Sequence, residues 1–128
     1  MKKVLFVVIA TCTLILTSCN KDQKAIKQIE GKWKSVSQDG QTLDPDDQTI
    51  YNFSSCKLKD SEYCDVTAEY SDDTYENFEY NVTSDGTIMT WKTEDGFILT
   101  GTIDELTDTK LTWTFSFFDT STIIFEKQ

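Results

Sequence analysis

The side chains that could do chemistry in this 128-residue chain are few in kind: four cysteines and 22 carboxylates, against twelve lysines, with no histidine and no arginine. Histidine is the commonest general base, and arginine is the forked cation that clamps phosphate. Without them most hydrolytic and phosphoryl-transfer mechanisms are disfavoured, and a zinc site loses its commonest nitrogen ligand. Paired carboxylates of the glycosidase kind need only acids, yet a chain this short, with tight turns, leaves little room for a sugar cleft. The expectation is a protein that is not an enzyme and carries no cofactor and no metal. A formal charge of −10 also sets it against nucleic acid and anionic headgroups.

Among the cysteines, Cys56 and Cys64 enclose the segment KLKDSEY with Asp60 at its centre. A hairpin turning at Asp60 sets the two thiols opposite each other, close enough for a disulfide. Closing so small a loop adds about 2.5 kcal/mol in the chain-entropy treatment. The other reading is a redox pair or thiolate metal site. It lacks a neighbouring histidine or lysine-rich helix start to lower a thiol pKa.

Cys12 and Cys19 lie in a different setting, FVVIATCTLILTSCNKDQ, residues 6–23. Lys2 and Lys3 precede an apolar run from Val4 to Leu16. That run is too short for the roughly 20 residues a membrane-spanning helix needs and has the make-up of a secretory signal. Leu16-Thr17-Ser18-Cys19 resembles the lipobox of bacterial lipoproteins. The resemblance implies cleavage before Cys19, multiple acylation of that cysteine (palmitate among the chains) and residence in the cell envelope of a Gram-negative bacterium. The outer membrane is the expected place, on its periplasmic or its surface face. The expected organisation is a signal peptide over 1–18, a lipidated tether over 19–23 and one domain over 24–128. Loss of Lys2 and Lys3 leaves ten lysines against 22 acids, a formal charge of −12. The uncleaved alternative makes the N-terminus a membrane helix and Cys19 an ordinary thiol.

The elements that position these groups read as strands. Ala25, Ile26 and Ile29 give a turn or two of helix one apolar side. From Lys32 the period changes to two. Eight strands are predicted: KWKSVS, TIYNFSSC, YCDVTAEY, ENFEYNVT, TIMTWKT, FILTGTI, KLTWTFSF and TIIFEK. Asp85-Gly86 suits a two-residue type I′ turn that pairs Val82 with Met89 and Tyr80 with Trp91. A three-residue loop with Gly96 left-handed pairs Trp91 with Leu99 and Met89 with Gly101. A loop at Asp119, Thr120 and Ser121 pairs Phe117 with Ile123, Phe115 with Phe125 and Trp113 with Lys127. The cysteine hairpin conflicts with its own faces, because Cys56 opposite Cys64 puts Tyr51 and Phe53 beside Glu69 and Thr67 unless a bulge intervenes.

Gly31-Lys32-Trp33 opens the first strand just after the helical turn. It resembles the G-x-W signature of the lipocalins, and the stretch from about 24 to 128 is similar to the small lipocalin-like domains of bacterial lipoproteins. The chain is shorter than full lipocalins and lacks the last-strand arginine that the family packs over its tryptophan. Lys127 falls where it could take that place above Trp33, or stand free in solvent. The resemblance implies an all-β, eight-stranded up-and-down barrel, monomeric, with a small apolar or amphipathic ligand inside. Phe78, Tyr80, Met89, Trp91, Leu99, Trp113, Phe115 and Phe117 would line it. Since eight strands enclose a space that side chains alone can fill, the competing expectation is a filled barrel acting as an acidic protein-interaction or inhibitor-type lipoprotein. Its loop DGQTLDPDDQT, residues 39–49, would meet a basic partner. The spacing DPDD is poor for calcium and fits a solvated loop.

Overall fold

The structure, a computed structural model, describes residues 21–56 and 63–128. The expected signal peptide over 1–18, Cys19 and the turn about Asp60 lie outside the described residues. Helix α1 (Lys21–Ile29) is followed by β1 (Gly31–Gln38), the two-residue β2 (Gln41–Thr42), a 3₁₀ turn (Pro45–Asp47), β3 (Ile50–Phe53) and β4 (Cys64–Glu69). Then come β5 (Tyr75–Thr83), β6 (Ile88–Thr93), β7 (Ile98–Leu106), β8 (Lys110–Ser116) and β9 (Thr120–Lys127). Each neighbour pair is antiparallel, and β9 returns to pair with β1. The result is a closed eight-stranded up-and-down barrel, lipocalin-like in architecture, with β2 as a short extra piece on the β3 side of β1. Closure removes the bare edges that a long meander would otherwise expose.

All eight predicted strands form. Period-two alternation does most of this, since one face of each strand is β-branched or aromatic and buries inward while the other is threonine, lysine and acid. Val82 pairs with Met89, Tyr80 with Trp91, Trp91 with Leu99, and Met89 with Gly101, as the turn chemistry predicts. Asp85 and Gly86 both have positive φ, as a type I′ turn requires. Gly96 is left-handed in the three-residue β6–β7 loop.

Two registers differ from expectation. In β3–β4 the ladder pairs Phe53 with Val66 and Tyr51 with Ala68, so the apolar faces agree. The strand then ends at Phe53, with one further bond from the Ser54 N–H to the Asp65 carbonyl before the chain departs toward Cys56. That departure lets Cys56 reach Cys64, with which it forms a disulfide across a Cα separation of 5.8 Å. The conflict is resolved by chain departure instead of a bulge.

In β8–β9 the loop is at 117–119, pairing Trp113 with Ile123, Leu111 with Phe125 and Phe115 with Ser121. The shift from the expected pairing is four residues, so inward faces stay inward. What selects it is barrel closure: β9 must also pair with β1, setting Phe125 beside Ser35 and Lys127 beside Trp33. The hydroxyl pairs Thr114–Thr122 and Ser116–Thr120 bond across the resulting ladder. Phe117 is thereby moved from the strand into the loop.

Helix α1 closes one end. Ala25, Ile26 and Ile29 are buried in the core. Asp22 accepts a hydrogen bond from the Gly86 amide at 2.7 Å, Gln23 donates to the Cys56 carbonyl, and Gln28 donates to Asp108. These bonds fasten the helix to three separate loops. The helix begins at Lys21, so Lys21, Asp22 and Gln23, expected in the tether, are helical.

Candidate functional site

The barrel interior is filled at the helix-closed end. Trp33, Phe53, Val66, Tyr80, Val82, Met89, Leu111, Trp113 and Phe125 are all essentially inaccessible. Trp33 donates its indole N–H to the Ile29 carbonyl at 2.6 Å, which locks the first strand to the helix. Lys127 Nζ lies 4.7 Å from the centre of the Trp33 ring and donates to the carbonyls of Glu30 and Gln28. It therefore combines a cation–π contact with capping of the helix C-terminus. Burial lowers the Lys127 pKa, opposed by Glu30 and then Asp108. Gly31, in the left-handed region, leaves room for this ammonium: a Cβ there would lie 3.1 Å from Nζ.

Toward the other end the packing opens. Tyr51, Phe78, Trp91, Leu99, Phe115 and Ile123 are only partly buried against the core. Trp91 is the hub: its ring lies 5.0 Å from Trp113, stacked, 5.1 Å from Tyr51 and 5.7 Å from Phe78. Trp113 in turn contacts Phe115 at 4.6 Å. These rings form an aromatic cluster, the bowl, around the Trp91–Trp113 stack. Trp113 donates its N–H to the Met89 carbonyl at 3.2 Å. The Trp91 Nε1 is also buried, yet has no hydrogen-bond partner among the described residues. A buried donor left unpaired costs about 1 to 3 kcal/mol, and such groups in a native fold call for an explanation.

Gly101 is the residue that makes the stack possible. It sits opposite Met89 and Phe115, and a Cβ there would lie 2.5 Å from Trp113 Nε1 and 2.8 Å from Phe115 Cβ. No larger residue lets the Trp113 ring lie flat.

Four loops surround the open end: residues 39–48, 70–74, 94–97 and 117–119. Ser71 donates to the Asp46 carbonyl at 2.6 Å, and Asp39 accepts from Ser121 and from the Thr122 amide. Phe97 touches Phe117 at 4.8 Å. Asp72 accepts from both the hydroxyl and the amide of Thr74, which holds its carboxyl below the ordinary range. Burial raises the Tyr51 phenol, opposed by a hydrogen bond with Thr49 and helped by Glu76. Tyr80, deeper, is raised by burial and then by Glu30. Its hydroxyl donates to the Ser54 carbonyl.

Of the residues expected to line a ligand site, Phe78, Trp91, Leu99 and Phe115 face the open bowl. Tyr80, Met89 and Trp113 lie in the filled half beneath it. Phe117 is in the β8–β9 loop and half exposed. Tyr51 and Ile123 join the bowl without having been anticipated. The inward parity of Tyr51 follows from the β3–β4 register that differs from expectation, while that of Ile123 is the same in the expected and the observed β8–β9 registers. Among the described residues no group of three or more cysteine or acidic side chains is arranged to hold a metal. No known protein family, curated protein or solved structure matches the chain.

Proposed function

We propose that this protein is an exported, lipid-anchored, non-catalytic barrel that binds a small amphipathic molecule in the bowl at its open end. The observation that carries the reading is the Trp91 indole N–H, buried with no partner among the described residues and surrounded by rings that are themselves only partly buried. Ligand sites pair an apolar lining with few fixed polar groups. Here the rings of Tyr51, Phe78, Trp91 and Phe115 would take an apolar chain, and Trp91 Nε1 would donate to one ligand oxygen. Because the surrounding loops are acidic, a neutral acceptor such as an ester or hydroxyl suits the site better than a carboxylate.

The anchor rests on the sequence LTSC at residues 16–19 and its resemblance to a lipobox. With the helix starting at Lys21, a lipid on Cys19 holds the α1-closed end against the membrane and turns the bowl to the aqueous side. Repulsion between the acidic loops and an anionic bilayer acts in the same direction.

Titration of the full chain in phosphatidylcholine nanodiscs with a fluorescent monoacylglycerol, empty discs subtracted, tests the site. One saturable site per chain, weakened about tenfold or more by Leu99→Lys and retained by Lys127→Met, is expected. Binding that Leu99→Lys leaves unchanged overturns the site. The anchor is tested separately: Cys19→Ala should release the protein from membranes or leave it unprocessed, and unchanged membrane partition and mature mass contradict it.

A further inference from the structure

The rim of the open end carries apolar surface that the bowl does not use. Phe97, Ile98, Phe117 and Phe118 are 41%, 54%, 53% and 90% exposed. Phe97, Phe117 and Phe118 lie on the β6–β7 and β8–β9 turns and Ile98 opens β7, and the rings touch in sequence, Phe97 to Phe117 at 4.8 Å and Phe117 to Phe118 at 4.4 Å. Contiguous exposed aromatic surface on a folded domain marks an interaction site. Phenylalanine in such turns contributes nothing to strand pairing, and a serine or asparagine would serve the loop better.

The charge around the patch decides what can cover it. The four loops of this end hold Asp39, Asp44, Asp46, Asp47, Asp72, Asp73, Glu94, Asp95 and Asp119, nine carboxylates and no lysine. At the helix end Lys21, Lys24, Lys27, Lys110 and Lys127 are interspersed with Asp22, Glu30, Asp85, Glu105, Asp108 and Glu126, while Lys34 and Lys92 are on strands nearer the open end. The loops of the open end are therefore the more one-sidedly acidic surface. A second copy would bring nine carboxylates against nine, and an anionic lipid surface would repel the rim in the same way. Both occupants are disfavoured by the field that favours a cation.

We propose that the Phe97, Ile98, Phe117 and Phe118 rim is a docking surface for a cationic amphipathic segment of a partner protein, its apolar side chains on the aromatic patch and its lysines or arginines on the ring of carboxylates. The patch supplies the desolvated centre and the carboxylates supply rim attraction and fast, salt-sensitive association. This inference is independent of the bowl ligand, since it uses residues outside the bowl.

The test uses the full chain in phosphatidylcholine nanodiscs and a fluorescein-labelled peptide of alternating lysine and leucine, with empty discs as the blank. Anisotropy should show saturable binding that weakens about tenfold between low and high salt. The double variant Phe117→Ser, Phe118→Ser should weaken it at least about tenfold. The charge variant Glu94→Gln, Asp95→Asn, Asp119→Asn should flatten the salt dependence. Monoacylglycerol binding retained by both variants shows that fold and bowl are intact, so failure here is separable from failure of the proposed function. Equal binding by the serine variant, or by a peptide with glutamine for lysine, overturns the proposal. So does a concentration-dependent dimer in sedimentation that Phe118→Ser abolishes, which assigns the rim to a second copy. Peptide-independent adhesion of the rim to bare vesicles, lost in the serine variant, overturns it in favour of lipid.

Discussion

Replacing Gly101 by alanine adds one methyl group, and the barrel has no place for it. The new Cβ would sit 2.5 Å from Trp113 Nε1, 2.8 Å from Phe115 Cβ and closer still to the Thr114 carbonyl. Two of these neighbours belong to the β8 backbone or to the Cβ fixed on it, so neither can rotate away. Overpacking of this kind costs about 1 to 3 kcal/mol. Relief by tilting Trp113 also gives up its bond to Met89, worth about 1 kcal/mol, and weakens the Trp91 stack by about 0.5 to 1.5 kcal/mol. The expected loss is about 4 kcal/mol, or roughly 15 °C in Tm for a domain of this size. Gly96→Ala is the control. It has positive φ but nothing within 4 Å of its Cβ, so the same methyl should cost only about 1 to 2 kcal/mol of backbone strain. Urea unfolding followed by tryptophan fluorescence gives both values, and near-UV circular dichroism reports whether the indole stack survives. A Gly101→Ala variant no less stable than Gly96→Ala would refute the packing argument and with it the rigid Trp91–Trp113 stack.

Three further outcomes follow from the same packing. Cys56→Ala with Cys64→Ala should lower stability by about 2.5 kcal/mol, and intact mass with alkylation before and after reduction should show no free thiol at these two positions in the wild type. Lys127→Met should cost about 1 to 3 kcal/mol, since it removes the cation over Trp33 and the charged donor to the Glu30 carbonyl; chemical denaturation measures it. Raised phenol pKa values at Tyr51 and Tyr80 mean that above about pH 10 the unfolded chain loses protons the fold retains. Stability should therefore fall as pH rises past that point. Tyrosinate absorbance for these two groups should then lag and appear with unfolding, and smooth titration of all five tyrosines near pH 10 in the intact fold contradicts their burial.

The inward faces were legible wherever a short turn set the register. Asp85-Gly86 and Gly96 are local signals, so Tyr80, Met89, Trp91 and Leu99 could be paired from sequence alone. The β8–β9 stagger could not be read this way, because it is fixed by the return of β9 onto β1, a contact between chain ends. Phe117 was consequently expected inside and stands at the rim. Asp39-Gly40 carries the same turn dipeptide as Asp85-Gly86, with both residues at positive φ, and could have announced β2. How much of the barrel is filled depends on ring packing around Trp91, which alternation does not encode.

The most direct measurement of the central claim is the indole N–H region of a ¹⁵N-labelled spectrum during titration with a neutral monoacylglycerol. The chain has three tryptophans, and two of their N–H groups already have partners, Trp33 with Ile29 and Trp113 with Met89. The account predicts that the Trp91 signal moves downfield and saturates at one ligand per chain while the Trp33 signal stays fixed. A Trp91 signal that does not respond, or a response centred on Trp33 at the closed end, contradicts it.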